Sequence, residues 1–195
     1  MTSKRRVRLD KNTVVQAAVD LLNTEGVGAL TLSRLAEKLG IQTPSLYNHV
    51  DGLTGLQKEL AVMNARLLAD RLSEAAIGKS GSQLFMEVAQ AFREYVKEYP
   101  GLYMSTLRAS GTQPVQDQNL LQEEQRAMKI GIAVMASLGL QGEDAIHGLR
   151  AFRSMVHGFA TLEVAGGFGL PQDCDESFRR LVSALVAGLQ EARLE

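Results

Sequence analysis

Six neighbouring residues of this 195-residue chain have side chains suited to reading a nucleic acid: Thr43, Pro44, Ser45, Tyr47, Asn48 and His49. Thr43, Ser45 and Asn48 offer short hydrogen-bonding groups. Tyr47 and His49 offer rings with polar tips, and Pro44 stiffens the start of the run. At helical spacing Leu46 and Val50 turn inward, which leaves Thr43, Ser45, Tyr47, Asn48 and His49 outside. A face that is polar, aromatic and short can reach base edges and phosphates in a major groove. Upstream, Lys4, Arg5, Arg6, Arg8 and Lys11 form a basic run. Beside a recognition helix, such a run can follow the phosphate backbone or enter a minor groove.

Two short helices joined by a tight turn must position these groups, and residues 31–50, TLSRLAEKLGIQTPSLYNHV, spell them. Thr31 can cap the first, with Leu32, Leu35, Ala36 and Leu39 on one face. Gly40 supplies a left-handed stop and Ile41 an apolar plug for the turn. Thr43 is the expected cap of the second helix, with Pro44 at its first position, where a missing N–H costs nothing. An ordinary helical hairpin could share this outline. Against it, the second helix is too short to form for core burial alone, and it exposes Tyr47 and His49 instead of a Glu/Lys mixture. The pattern reads as a helix-turn-helix that binds DNA.

Residues 8 to 60 resemble the N-terminal domain of TetR-type bacterial transcriptional regulators. The resemblance rests on Arg8-Leu9-Asp10-Lys11, Ala17 to Leu22, Glu25-Gly26, Leu30-Thr31, Leu35 to Gly40 and Pro44-Ser45-Leu46-Tyr47-Asn48-His49-Val50. The last run is similar to the tetracycline-repressor branch. The resemblance implies that Thr43, Pro44, Ser45, Tyr47 and His49 touch bases or phosphates. Ser33 stands where that branch carries a base-reading Arg, and Arg34 beside it is the substitute. Leu53 replaces a frequent phosphate-binding Lys. Nearer the C-terminus, Val156-His157-Gly158 is similar to the Trp-His-Gly signature of one C-terminal ligand domain of the family, with Val in place of Trp.

Composition bounds the rest. Trp is absent, aromatics make up 5% of residues, and no alternating β-branched run reads as a strand, so the fold should be all-α. Residues 1–58 carry eight Lys/Arg against five Asp/Glu, a net of +3, whereas residues 59–195 carry thirteen against seventeen, a net of −4. The positive end is the one with the helix-turn-helix. Cys174 is the single cysteine and lies between Asp173 and Asp175, the wrong sign for a reactive thiolate. An inert thiol, no intrachain disulfide, no membrane-spanning run and no signal peptide together suit the cytoplasm.

The expected organisation is a DNA-binding head at 1–53 and a larger helical domain at 54–195, about nine helices in all. Asp10 or Asn12 starts the first helix. Thr54 caps a long fourth helix to about Ile77, the mechanical link between domains. Further helices are expected at Leu84 to Tyr99, around Leu102 to Leu107, from about Val115 or Asp117 to Leu138, at Glu143 to Val164 and at Glu176 to Arg193.

Two roles are open to the larger domain. The apolar stripes of the last two helices, with Val156, Phe178, Leu181, Leu185 and Leu189, are wide enough for a dimer interface as well as the monomer core. The resemblance implies a four-helix bundle made by two copies. The second role is a pocket for a small apolar or amphipathic effector. Its expected lining is Met63, Leu67, Phe92, Tyr95, Tyr99, Tyr103, Leu107, Met128, Met135, Phe152 and Met155, with His157 and Arg153 as polar contacts. Adaptable Met with amphipathic Tyr suits a re-packable cavity.

Enzyme chemistry is disfavoured. His147 and His157 are about 80° out of alignment on one helix and make no ready metal pair. Gly78-Lys79-Ser80 lacks the Gly-rich lead of a phosphate loop. No catalytic residue, metal or cofactor is expected. The reading is a homodimeric repressor released from a double-stranded operator by a small molecule. The alternative is the same head with its larger domain controlled by a protein partner.

Overall fold

The computed structural model describes residues 9–107 and 117–191. The expected all-α fold is observed. Among the described residues there are eight α-helices, α1 (Lys11–Glu25), α2 (Leu32–Leu39), α3 (Gly52–Ala76), α4 (Gly81–Glu98), α5 (Pro100–Thr106), α6 (Gln118–Ser137), α7 (Gly142–Val164) and α8 (Cys174–Glu191). Two 3-10 segments, Val27–Ala29 and Thr43–Asn48, interrupt the first half. The chain divides into two compact units, Met1–Asn64 with Gly101–Asp117, and Ala65–Pro100 with Gln118–Glu195. The division falls inside α3, which is continuous across it.

In the first unit the local signals act as their chemistry dictates. The Asp10 carboxylate accepts from the Thr13 N–H at 2.8 Å and caps α1. Val14, Val15, Ala18, Leu21 and Leu22 form its buried stripe. Thr31 Oγ1 accepts from the Arg34 N–H at 3.2 Å and caps α2. Gly40 adopts φ 66°, ψ 33°, and Gly40 N–H and Ile41 N–H donate to the Glu37 and Ala36 carbonyls at 3.0 Å each. This double closure satisfies the last carbonyls of α2 and aims the chain into the next segment.

Sequence reasoning missed the docking of α5 in this unit. Asn23, near the end of α1, accepts from the Gly101 and Leu102 N–H groups through Oδ1 at 3.0 and 3.1 Å. One side chain thereby caps the start of a helix 78 residues further along. Pro100 opens α5, two residues ahead of the expected start at Leu102.

Several boundaries differ from expectation. The recognition segment is 3-10 rather than α-helical, and Gln42, not Thr43, is its N-cap residue, without a side-chain bond. Ser45 N–H reaches the Gln42 carbonyl at 2.9 Å, a three-residue closure where an α turn would use the Leu46 N–H. Helix α3 begins at Gly52 because the Asp51 carbonyl already receives the Gly55 N–H at 3.0 Å, so Thr54 lies inside it. Helix α8 begins at Cys174, since Asp173 Oδ1 accepts from the Glu176 N–H at 2.9 Å.

In the second unit α4 lies against α6, α7 and α8. Phe85 meets Phe152 edge-on with ring centroids 5.0 Å apart, and Phe92 lies 6.4 Å from Phe152. Arg93, only 1% exposed, is buried with them. Its Nε and Nη2 each donate to Glu163 at 2.7 Å, and Nη2 also reaches Asp175 at 2.7 Å. Its guanidinium faces the rings of Phe159 and Phe178 at 5.4 and 5.0 Å. The Arg93 hydrogen bonds, with further help from Lys97, hold the Glu163 carboxyl below its ordinary range. One buried guanidinium therefore ties α4 to α7 and to the first turn of α8.

Candidate nucleic-acid interface

The recognition segment is anchored by one side chain. Leu46 is fully buried, and its carbonyl receives both His49 N–H at 2.9 Å and Val50 N–H at 3.0 Å. Val50 is buried beside it. Around this anchor Pro44, Tyr47 and Asn48 are exposed, whereas Thr43, Ser45 and His49 are half-buried. Tyr47 is 60% exposed, unusually high for an aromatic residue on an ordered turn. A Cβ placed at Gly52 would lie 3.7 Å from Tyr47 Cε1, so one edge of the ring lies close to the start of α3. The structure thus brings six of the sequence-derived DNA candidates onto one outward turn. Lys4, Arg5 and Arg6 lie outside the described residues.

Arg34 is placed differently from the other candidates. Its backbone is fixed in the first turn of α2, and its guanidinium forms an ion pair with Glu25 at the end of α1. Lys11 is likewise paired with Glu59. Residues 9–64 contain four Lys/Arg against six Asp/Glu, a net of −2. The basic excess of the head belongs to the first eight residues.

The candidates for a ligand site scatter. Met63, Tyr103 and Leu107 fall in the first unit and the others in the second. Phe92, Tyr95, Met135 and Phe152 are buried in the core of their unit, Tyr99, Met155 and His157 are half-buried, and Met128 is 55% exposed. Arg153 is exposed on α7, and the buried arginine is Arg93 instead. Among the described residues, two clefts bear on these candidates. One of about 530 Å³ lies in the first unit between Asn12, Gln16, Asp20, Leu39 and Met63. The other, of about 410 Å³, lies in the second among Phe159, Phe168, Leu170, Cys174 and Ser177. Of the expected lining residues, these clefts include only Met63. Among the expected dimer residues, Val156 and Phe178 are at most 1% exposed within the chain itself, while Leu181 is 40% exposed and Leu185 and Leu189 are half-buried.

Comparison with known proteins matches this geometry to a family. Residues 14–51 match the family model described as bacterial regulatory proteins, tetR family. Residues 85–185, more than half of the chain, match that described as tetracyclin repressor-like, C-terminal domain. The chain belongs to the TetR family. It is similar to the uncharacterized HTH-type transcriptional regulator Rv0681 of Mycobacterium tuberculosis, with 32% identity covering 95% of this chain and 84% of that protein. Similarity to YobS of Bacillus subtilis, another uncharacterized HTH-type regulator, is 29% over 94% of each. Among solved structures, a TetR variant from Acinetobacter baumannii AYE in complex with minocycline superposes with a TM-score of 0.70. That match is 28% identical and covers 95% of this chain and 99% of the other.

As a TetR-family member the protein is a helix-turn-helix transcriptional regulator, and the family is one of DNA-binding regulators, not enzymes. Among the described residues no helix is long and apolar enough to cross a membrane. No group of three or more His, Cys, Asp or Glu among them could hold a metal ion.

Proposed function

We propose that the protein is a cytoplasmic homodimeric repressor whose hold on a double-stranded operator is released by a small apolar or amphipathic molecule. The observation that carries this reading is the outward turn Thr43–Asn48, with Tyr47 exposed and Leu46 fixing it from beneath. Thr43, Pro44 and Ser45 approach base edges and phosphates, and Tyr47, Asn48 and His49 complete the contact surface. Tyr47→Ala is expected to cost about 1–3 kcal/mol on a duplex selected from random sequence, with far less loss on unselected DNA. Electrophoretic or anisotropy titration of both probes checks this. An unchanged affinity in a Tyr47→Ala/His49→Ala variant would place the contact elsewhere.

Dimerisation is supported by apolar residues that the chain leaves uncovered on its last two helices. Ile146, Leu162 and Leu181 are each at least 40% exposed, and Leu185 and Leu189 are half-buried beside them. Val156 and Phe178, on the same two helices, are buried within the chain itself. Leu185→Glu is expected to shift the protein from dimer to monomer in sedimentation velocity at micromolar concentration. A wild-type monomer there would sink the dimer reading.

For the effector, the reading draws on the Phe-rich core of the second unit, which also holds Met135, and on the minocycline complex of the related TetR. Phe92, Tyr95, Met135, Phe152 and Met155 are the residues whose repacking would admit a ligand. Continuity of α3 across the two units gives a bound ligand a route to the heads. Paired recognition helices must sit about 34 Å apart, or a multiple of it, to meet two half-sites. An effector that spoils that spacing must favour the non-binding state by about 5 kcal/mol to release the operator fully. A thermal-shift screen with tetracyclines, acyl compounds and other amphipathic molecules finds such a ligand as a rise in Tm.

A further inference from the structure

The pairing of Arg34 with Glu25 has a use beyond holding α1 to α2. Arg34 stands in the first turn of α2, next to its Thr31 cap. A cation at a helix N-terminus is poorly placed for the helix itself, because the free N–H groups there already carry partial positive charge. The same position is well placed for an anion, and the first helix of a helix-turn-helix crosses the sugar-phosphate backbone. Both partners are accessible, with Arg34 53% and Glu25 39% exposed, so the pair can open without unpacking the head. Leu35 and Ala36 bury the opposite face of the same turn. Of the cations at residues 9–64, Lys11, Arg34, Lys38 and Lys58, Arg34 alone carries a guanidinium, the group that can grip a phosphate with two donors.

We propose that Glu25 is a positioning residue for DNA binding: it stores Arg34 in an intramolecular ion pair that a backbone phosphate must displace. The duplex then gains one phosphate contact by exchange, not by neutralising a free charge. Arg34 leaves one anion for another, and the released Glu25 takes up a solvent cation. The exchange lowers affinity for all DNA alike and reduces the dependence of binding on salt. It also keeps the guanidinium in one direction while no DNA is bound. This inference rests on the helix-turn-helix as the DNA contact, and it concerns a residue of α1 outside that motif.

The test is a double-mutant cycle with Glu25→Gln and Arg34→Ala, in the full chain, against random-sequence duplex over a salt series. Exposed ion pairs are weak, so Glu25→Gln is expected to tighten binding about two- to fivefold. It should also steepen the slope of log affinity against log salt by up to about one. In the Arg34→Ala background the same change is expected to do much less. Arg34→Lys should keep part of the response, since it retains charge without the fork. Circular dichroism confirms that each variant is folded. Unchanged or weaker binding by Glu25→Gln, or equal tightening with and without Arg34, would overturn the proposal. Failure of the wild type to bind duplex at all would instead overturn the helix-turn-helix reading beneath it.

Discussion

Gly101→Ala is expected to cost about 3–5 kcal/mol and to loosen α5 from α1, through overpacking and the loss of two hydrogen bonds. A Cβ at this position would stand 2.0 Å from the Leu22 carbonyl oxygen and 2.8 Å from the Asn23 nitrogen. Those atoms are backbone inside a helix and cannot step aside as a side chain tip would. The start of α5 must therefore lift, which breaks the bonds from Gly101 and Leu102 to Asn23. Leu102 and Tyr103, both at most 3% exposed, would be uncovered at the same time. Urea denaturation at fixed protein concentration measures the loss. A change below about 1 kcal/mol would show that the contact is slack. Asn23→Ala removes the bonds without the clash and should cost less than Gly101→Ala.

Arg93→Ala is expected to be comparably damaging in the second unit, at about 3–5 kcal/mol, because it leaves a carboxylate without its buried partner. The Phe159 and Phe178 rings would also lose the guanidinium that lies over them. Arg93→Lys should recover little, since an ammonium cannot hold both Glu163 oxygens and Asp175 in one plane. The same network sets a pH dependence. Glu163 is held below its ordinary value of 4.5, so its contribution is complete above that pH. It is lost as the pH falls through the depressed folded value. Glu163→Gln is expected to be less stable than wild type at neutral pH and to lose less on acidification. Stability curves that stay parallel down to strongly acidic pH would contradict the assignment.

What could be read in advance was local. Asp10, Thr31 and Gly40 act on atoms within four residues of themselves, so type and spacing suffice to place Thr31 and Gly40 and to narrow the first cap to Asp10 or Asn12. The inward turn of Leu46 and Val50 likewise follows from period alone, and it delivered the outward face of Tyr47. The 3-10 geometry of that segment did not, since residue type barely distinguishes a three-residue closure from a four-residue one. Asn23 and Gly101 are 78 positions apart, and nothing near either announces the other. Arg93 did leave a trace. It falls four residues after Ala89 and eight after Phe85, on the buried side of α4, where an unpaired cation would be untenable. Its partners Glu163 and Asp175 could not be named from that trace. Asp173 and Asp175, noted in sequence only as acidic neighbours of Cys174, turn out to cap α8 and to pair with Arg93. The scatter of the proposed effector residues has a similar origin. Apolar period reports which face is buried but not whether the space it faces is filled.

The brevity of the recognition segment limits how much sequence information one head can extract. Six residues of 3-10 helix advance about 2 Å each, about 12 Å in total. Base pairs are stacked about 3.4 Å apart, so the segment runs alongside only about three or four of them. Even with every pair read without error, that selects about one site in 64 to 256, whereas a genome offers on the order of 10⁶ or more. In the homodimer proposed above, two heads reading in fixed register would square the odds to about one in 4,000 to 65,000, still short of a single address. The remaining discrimination must come from what the segment does not touch directly: the exact separation of half-sites and the cost of deforming the duplex between them. On this count the operator of a protein with so short a reading turn is defined as much by its spacing as by its letters.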